Sequence, residues 1–351
     1  MENTCFISLH RNQVNPLLHP KSTLTFAYGD GKYHKFARQM SGDDSVLRTK
    51  ILREVNEDFH QGDKVNIALE TDLLSELVKC FSEDDKIIRE LASRAVCKVA
   101  CTERGREILV DEEIVPQIKN LMDDKEVEIR SNAVNALINI AEFTFGVDSI
   151  IDFNIIPFLV DKLIEEKDED ILVLILKLLK ILNEGEQAPI VIQNTEAIFR
   201  LNKHLESKND QIREYAALNL GSISYNVIGK SLTIDAKSIP PLTEMLIDKV
   251  SKVRAACTRA LVSMAQQKEG KVQIYDLDKL NEIIRLLYDD DDQTRLNTVQ
   301  LICAVGEYPP AKEKFKECLD KLQEMVKKEE EVNPLVSRFA QKAIDIITWL
   351  P

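Results

Sequence analysis

One short pattern recurs eight times in this chain at intervals of 41 or 42 residues. A charged run leads into Val/Ile-x-Arg or Ile-Arg, followed by an Ala-rich apolar segment of helical period. The third copy, Asp123 to Ala141, reads DDKEVEIRSNAVNALINIA. Its Arg130 is matched by Arg48, Arg89, Arg213, Arg254 and Arg295, while Leu172 and Ser337 take the slot in two irregular copies. A period held this closely excludes an ordinary globular enzyme and predicts a stack in which each unit buries its apolar face against its neighbours.

Each unit divides into three helical pieces. In the third, Ile114 to Met122 has apolar residues at helical spacing, an acidic turn follows, and the Arg-bearing helix runs from about Val127 to Phe143. Ala133, Ala136, Leu137 and Ile140 keep the i, i+3, i+4, i+7 rule. A glycine stands 16 residues past the arginine in four units, at Gly105, Gly146, Gly229 and Gly270. These are expected to adopt left-handed angles and stop the long helix. Pro116, Pro157 and Pro240 fall where a first helical turn tolerates proline. The acidic runs complement the positive end of each following helix. Asp289 to Asp292 lacks the alternation, central Gly and terminal Glu of a calcium loop.

This three-helix unit resembles the armadillo repeat, with the two-helix HEAT repeat as the nearest rival. The expectation is an all-α, right-handed superhelical armadillo solenoid of about eight repeats over residues 21–351, preceded by an extended arm over residues 1–20. The arm, with Pro16 and Pro20, is expected to order on a partner.

In armadillo folds two positions of the long helix face the groove, five and nine residues after the framework arginine. The first row here is Arg53, Arg94, Asn135, Lys177, Leu218, Arg259 and Gln300; the second is Glu57, Lys98, Asn139, Ile181, Ser222, Ser263 and Ala304. The first row is basic or amide except at Leu218, in a chain of net charge −13. The expected site is therefore a polar, basic track (Arg53, Arg94, Asn135, Asn139, Lys177, Arg259, Gln300) for an acidic or extended protein segment, because the arginine fork pairs two carboxylate oxygens at once. The groove of importin-α repeats Trp in the first row and Asn in the second. Here Asn139 is the only such Asn, and the single tryptophan is Trp349.

The acidic balance argues against nucleic acid and anionic membranes as ligands. The most apolar stretch, Ile171 to Leu182, is too short to span a bilayer and holds two lysines. The first residues lack the basic and apolar blocks of a signal peptide. Seven cysteines, at 5, 80, 97, 101, 257, 303 and 318, follow no disulfide or zinc framework. Cys97 and Cys101 are expected to be small core-facing residues. No phosphate loop, nucleophile elbow or zinc-protease motif is present. No enzyme activity, cofactor or metal is expected.

The two ends add a closer likeness. Ala27-Tyr28-Gly29 precedes the first repeat with Arg48 and His60, Arg295-Leu296-Asn297 marks a late one, and the chain closes as AIDIITWLP on Pro351. Together these resemble the radial spoke head 14 homologue family of cilia and flagella. The resemblance implies a structural subunit of the axonemal radial spoke. Its partners would be other spoke proteins, including the long helical backbone chain, and it would help regulate dynein without activity of its own. The alternatives are another axonemal armadillo protein, of the central apparatus or dynein docking, and a soluble peptide-binding adaptor.

Overall fold

The acidic turns make the long helices start where they do. Asp44 accepts from the N–H groups of Val46 and Leu47, Asp85 from Ile87, Asp168 from Asp170 and Ile171, Asn209 from Gln211 and Ile212, and Asp291 from Thr294. Each satisfies donors a helix N-terminus leaves unpaired. A computed structural model describes residues 31–349 except 186, 189–191, 194 and 330–332; the expected arm, Ala27 to Gly29 and Pro351 lie outside them. The described residues contain helices and no strand, and group into two compact units dividing after Gln117.

In the first unit, α1 (Lys32–Met40) is followed by the long α2 (Ser45–Asp58), α3 (Gly62–Ala68), α4 (Leu73–Lys79), the long α5 (Lys86–Ala100) and α6 (Glu103–Asp111). Helix α7 (Val115–Leu121) holds the dividing point. The second unit continues with long helices α8 (Val127–Ala141), α11 (Glu169–Leu182), α13 (Asp210–Ile223), α16 (Ser251–Met264), α19 (Asp292–Gly306) and α22 (Pro334–Thr348). Between them lie α9 (Thr144–Asp152) and α10 (Ile155–Glu165), α12 (Ala197–His204), α14 (Val227–Asp235) and α15 (Ile239–Glu244), α17 (Lys268–Asp276) and α18 (Leu280–Arg285), and α20 (Pro309–Phe315) and α21 (Leu319–Glu329). The rhythm is the three-helix unit the sequence predicts.

Successive long helices pack on one another: α2 on α5 in the first unit, and α8, α11, α13, α16, α19 and α22 in order in the second. Small buried residues at the contacts, among them Ala92, Ala133, Ala216, Ala217 and Ala260, allow close approach. Leucine, isoleucine and valine fill the layer between long and short helices, with Leu52, Ile118, Leu137, Leu179, Leu246 and Phe315 wholly buried. At the start of the first unit, the buried carboxylate of Asp58 accepts from Lys64 (2.6 Å), Tyr33 (3.2 Å) and Lys32, tying α1 to the end of α2.

The glycines correct the sequence reading. None of Gly105, Gly146, Gly229 and Gly270 is left-handed, and each lies inside the first turn of the short helix. There it abuts the carbonyl of Val99, Ile140, Ile223 or Met264 at the end of the preceding long helix, where a Cβ would have no room. The residue is glycine because two helices touch backbone to backbone at the corner.

The left-handed residues lie one helix later. Glu113, Asn154, Lys237 and Asp278 have φ of 54°, 55°, 57° and 54°, each two residues past the end of a short helix. The reversal lets Ile114 N–H reach Leu109 O (3.0 Å) and Ser238 N–H reach Thr233 O (3.1 Å), closing the helix end. An L-residue pays about 1–2 kcal/mol for this conformation, of which glycine's greater freedom when unfolded offsets part. Lys237→Gly and Asp278→Gly should therefore each raise stability by about 0.5–1 kcal/mol, read as a higher urea midpoint. An unchanged or lower midpoint would contradict this account.

Candidate functional site: the face of the long helices

The framework arginines do not face solvent. Four of the six, Arg48, Arg130, Arg213 and Arg254, clasp the acidic turn of the next repeat. The Arg213 guanidinium donates to Ser207 O (2.9 Å) and Lys208 O (3.1 Å) in its own turn, and with two other nitrogens to both oxygens of Asp248, 35 residues on (2.7 and 3.1 Å). Arg254 repeats this with Asp248 O (2.8 Å) and the Asp289 carboxylate (2.6 and 2.8 Å), and Arg130 with Asp124 O (3.0 Å) and Glu166 (2.9 Å twice). In the first unit Arg48 pairs with Glu83. The carboxylates also cap the next turn: Asp248 accepts from Val250 N–H and Asp289 from Asp291 N–H. Burial pushes the carboxyls of Glu166, Asp248 and Asp289 up. The arginine and backbone N–H hydrogen bonds outweigh it and hold all three below their ordinary values.

The acidic cluster Asp289 to Asp292 is thereby accounted for. Asp289 holds Arg254, Asp291 caps α19, and Asp292 pairs with Arg295 at 2.6 Å. Among the described residues no group of three or more His, Cys, Asp or Glu could hold a metal, and no helix is long and apolar enough to cross a membrane.

The fourth repeat interrupts the ladder at both ends. Leu172 replaces the arginine, and the residue 35 positions on is Ser207, which offers only its carbonyl to Arg213. Between α11 and α13 the polar links are instead a buried amide pair and an exposed cap contact: Asn183 donates to Asn219 Oδ1 (2.8 Å), Asn219 donates to Leu176 O and Tyr215 O, and Asn209, the cap of α13, donates to Glu169 (2.9 Å).

The expected track residues have different fates. In the first unit Arg53 and Arg94 are exposed on α2 and α5. Arg94 is neutralised by Glu90 on its own helix, whereas Arg53 has no carboxylate partner among the described residues. Beside them Lys98 donates to Asn56 O (2.5 Å) and lies 3.1 Å from His60 Nε2; burial, then Arg94, depress its pKa. In the second unit Asn135 folds back onto Ser131 O (2.9 Å), and Asn139, Lys177 and Gln300 are half-buried. Only Arg259 stands exposed there, with no carboxylate partner among the described residues. The row is thus not uniformly basic.

Arg259 and the second-row Ser222 and Ser263 meet around one cavity of about 490 Å³, formed at the C-terminal ends of α11, α13 and α16 and also lined by Asn183, Gly221 and Tyr225. Sequence reasoning missed Tyr225 and Asn183. The available signal was an aromatic residue 12 positions past the framework arginine, a slot that holds His60, Cys101, Glu142, Glu184, Gln266 and Glu307 elsewhere and an aromatic again only at Trp349 in the last copy. The cysteine expectation also needs correction: Cys80, Cys257, Cys303 and Cys318 are buried, but Cys97 is half-buried and Cys101, capping the end of α5, is exposed.

Comparison with known proteins agrees with this architecture. The sequence model of the HEAT repeat matches residues 114–144 and 239–267. Both segments comprise the helix before an acidic turn and the long helix after it. The matching model is that of the rival repeat, although the unit keeps three helices. A crystal structure of an engineered protein from the Northeast Structural Genomics Consortium is similar over 91% of this chain and 79% of its own, with a TM-score of 0.80 and 20% identity. That likeness concerns fold alone. The chain is an all-α helical-repeat solenoid.

Proposed function

We propose that this chain is a non-enzymatic protein-binding scaffold, and that it serves as a structural subunit of the ciliary radial spoke, located in the axoneme and joined to other spoke proteins and their long helical backbone chain. The observation that carries the scaffold reading is the long-helix face itself. Exposed cations without carboxylate partners among the described residues, Arg53 in one unit and Arg259 in the other, recur there at the same repeat position. An unpaired guanidinium on a stacked, otherwise self-satisfied surface is suited to a partner's carboxylate. The spoke assignment rests on the likeness of the chain's two ends and of Arg295-Leu296-Asn297 to that family.

The test uses tagged protein in ciliated cells. A spoke subunit should remain with axonemes through detergent and salt extraction, be missing from spoke-deficient axonemes, and cross-link to spoke proteins. Release with detergent would favour a soluble adaptor, and retention in spoke-deficient axonemes a central-apparatus or docking subunit. Reversing Arg53, Arg94 and Arg259 together to Glu should cut partner binding by at least about tenfold, since each exposed pairing contributes up to about 1 kcal/mol and reversal adds repulsion. The melting temperature should fall by no more than about 2 °C, the cost of breaking the exposed Arg94–Glu90 pair. Undiminished binding would remove the face from the reading.

A further inference from the structure

We propose that the cavity at the ends of α11, α13 and α16 binds one stretch of an extended polypeptide, with a carboxylate side chain paired to Arg259 and an adjacent proline or aromatic residue stacked on Tyr225. This rests on the reading of the chain as a protein-binding scaffold and assigns that activity a place and a chemistry.

Four observations converge there. The cavity, about 490 Å³, is of the size that holds a few residues of extended chain. Its wall is made of small residues: Ser222 and Ser263 occupy equivalent positions on neighbouring helices, with Gly221 beside them where α13 meets Ala260 of α16. Larger side chains would fill the space a ligand backbone needs. Tyr225 stands at the rim 86% exposed, beside the exposed Val227 and Ile228. A bare aromatic with apolar neighbours at a cavity mouth is a stacking platform.

The polar groups fix the ligand's character. Arg259 is the lining cation, exposed and without a carboxylate partner among the described residues, and suits a single carboxylate. Glu184, paired with Lys180, also lines the cavity, and the C-terminal ends of α11 and α13 bring their negative dipole ends to it. That arrangement repels a polyanion such as a nucleic acid while leaving room for one acidic residue. Asn183 is buried in the wall with its amide nitrogen committed to Asn219 and its Oδ1 without a donor.

The experiment measures fluorescence anisotropy of the full chain with a fluorescein-labelled dodecapeptide of three Glu-Pro-Tyr-Gly repeats, with a control carrying Gln for Glu. The acidic peptide should bind and protect residues 181–185 and 221–228 from hydrogen exchange. Arg259→Glu and Tyr225→Ala should each weaken binding about tenfold, the scale of a charge-assisted pair or an aromatic stack. Both replace exposed side chains, so the melting temperature should not move, and Lys50→Glu, an exposed cation of the other unit outside the binding rows, should leave affinity unchanged. Equal binding of the Gln peptide, no effect of either substitution, binding of neither peptide, or displacement by a labelled oligothymidylate would overturn the assignment. Failure here with intact axonemal retention would leave the scaffold reading standing; loss of retention with intact peptide binding would overturn only the spoke assignment.

Discussion

Asp248→Ala should destabilise the second unit by about 3–5 kcal/mol, the range for removing one partner of a buried ion pair. Both side chains of the Arg213–Asp248 pair are only 8% exposed, and the bidentate contact is their principal compensation for leaving water. Without the carboxylate, the guanidinium keeps its two carbonyl acceptors but has a buried charge with no counter-ion, and Val250 N–H loses its cap. Asp292→Ala, which breaks the exposed pair with Arg295, should cost less than about 1 kcal/mol. Replacing Arg213 and Asp248 together with leucine should recover part of the loss, giving a coupling of about 1–3 kcal/mol in a double-mutant cycle. Urea unfolding of these variants and of the Arg213→Leu and Asp248→Leu singles measures the costs; an Asp248→Ala cost no larger than that of Asp292→Ala would remove the ladder as a stabilising device. The same pairs set an acid limit. Glu166, Asp248 and Asp289 have folded pKa values below their unfolded ones. Their contribution is therefore complete above about pH 5 and disappears as pH falls through the depressed folded values. Asp248→Ala should flatten that acid limb.

Gly146→Ala and Gly229→Ala should each cost more than about 3 kcal/mol, at or beyond the upper end of the usual cost of overpacking. A Cβ at either position would lie within 3.0 Å of the carbonyl carbon and oxygen of Ile140 or Ile223, atoms of a helix backbone that cannot swing away. Relief requires the short helix to lift from the long one, which uncovers the buried Ile150 on α9 or Ile234 on α14. At the exposed Gly42 the nearest atom to an added Cβ is Gln39 O at 3.5 Å, and alanine should be tolerated within about 0.5 kcal/mol. Thermal melts of the three variants separate the explanations. If the corner glycines acted as left-handed helix stops, Asn should rescue Gly229, because Asn tolerates that conformation; a steric requirement predicts that Asn fails as alanine does.

The period, the helix boundaries and the placement of Pro116, Pro157 and Pro240 in first turns were legible because each is a local matter of spacing and backbone chemistry. The role of the framework arginines was not. Arg213 meets Asp248 only after a whole repeat has folded back, so the pair appears in sequence as two charges 35 residues apart. The same distance hid the reason for glycine at the corners, since a contact with the Ile140 carbonyl leaves no mark on local propensity. For the site, the repeat register correctly singled out Arg53 and Arg259 as exposed. It could not show that Arg94 is already neutralised by Glu90 or that Asn135 turns back on its own helix, because rotamers are decided by neighbours that share no row. Tyr225 escaped because it lies outside both rows.

The gap in the ladder at Leu172 and Ser207 has a mechanical meaning. Wherever an arginine clasps the next turn, two adjacent layers are pinned along one edge as well as through their apolar faces. At the seam between α11 and α13 that arginine clasp is missing, and the joint is held by the interior Asn183–Asn219 bond, by Asn209 on Glu169 (2.9 Å), and by Arg200 and His204 of α12 on the Val160 and Leu163 carbonyls of α10 (2.6 and 2.9 Å). This joint is thus pinned by dispersed amide, imidazole and guanidinium contacts where its neighbours have one bidentate arginine–carboxylate clasp. The cavity bearing Tyr225 and Arg259 opens beside it, so a ligand seated there would splint the joint and alter the stiffness of the second unit.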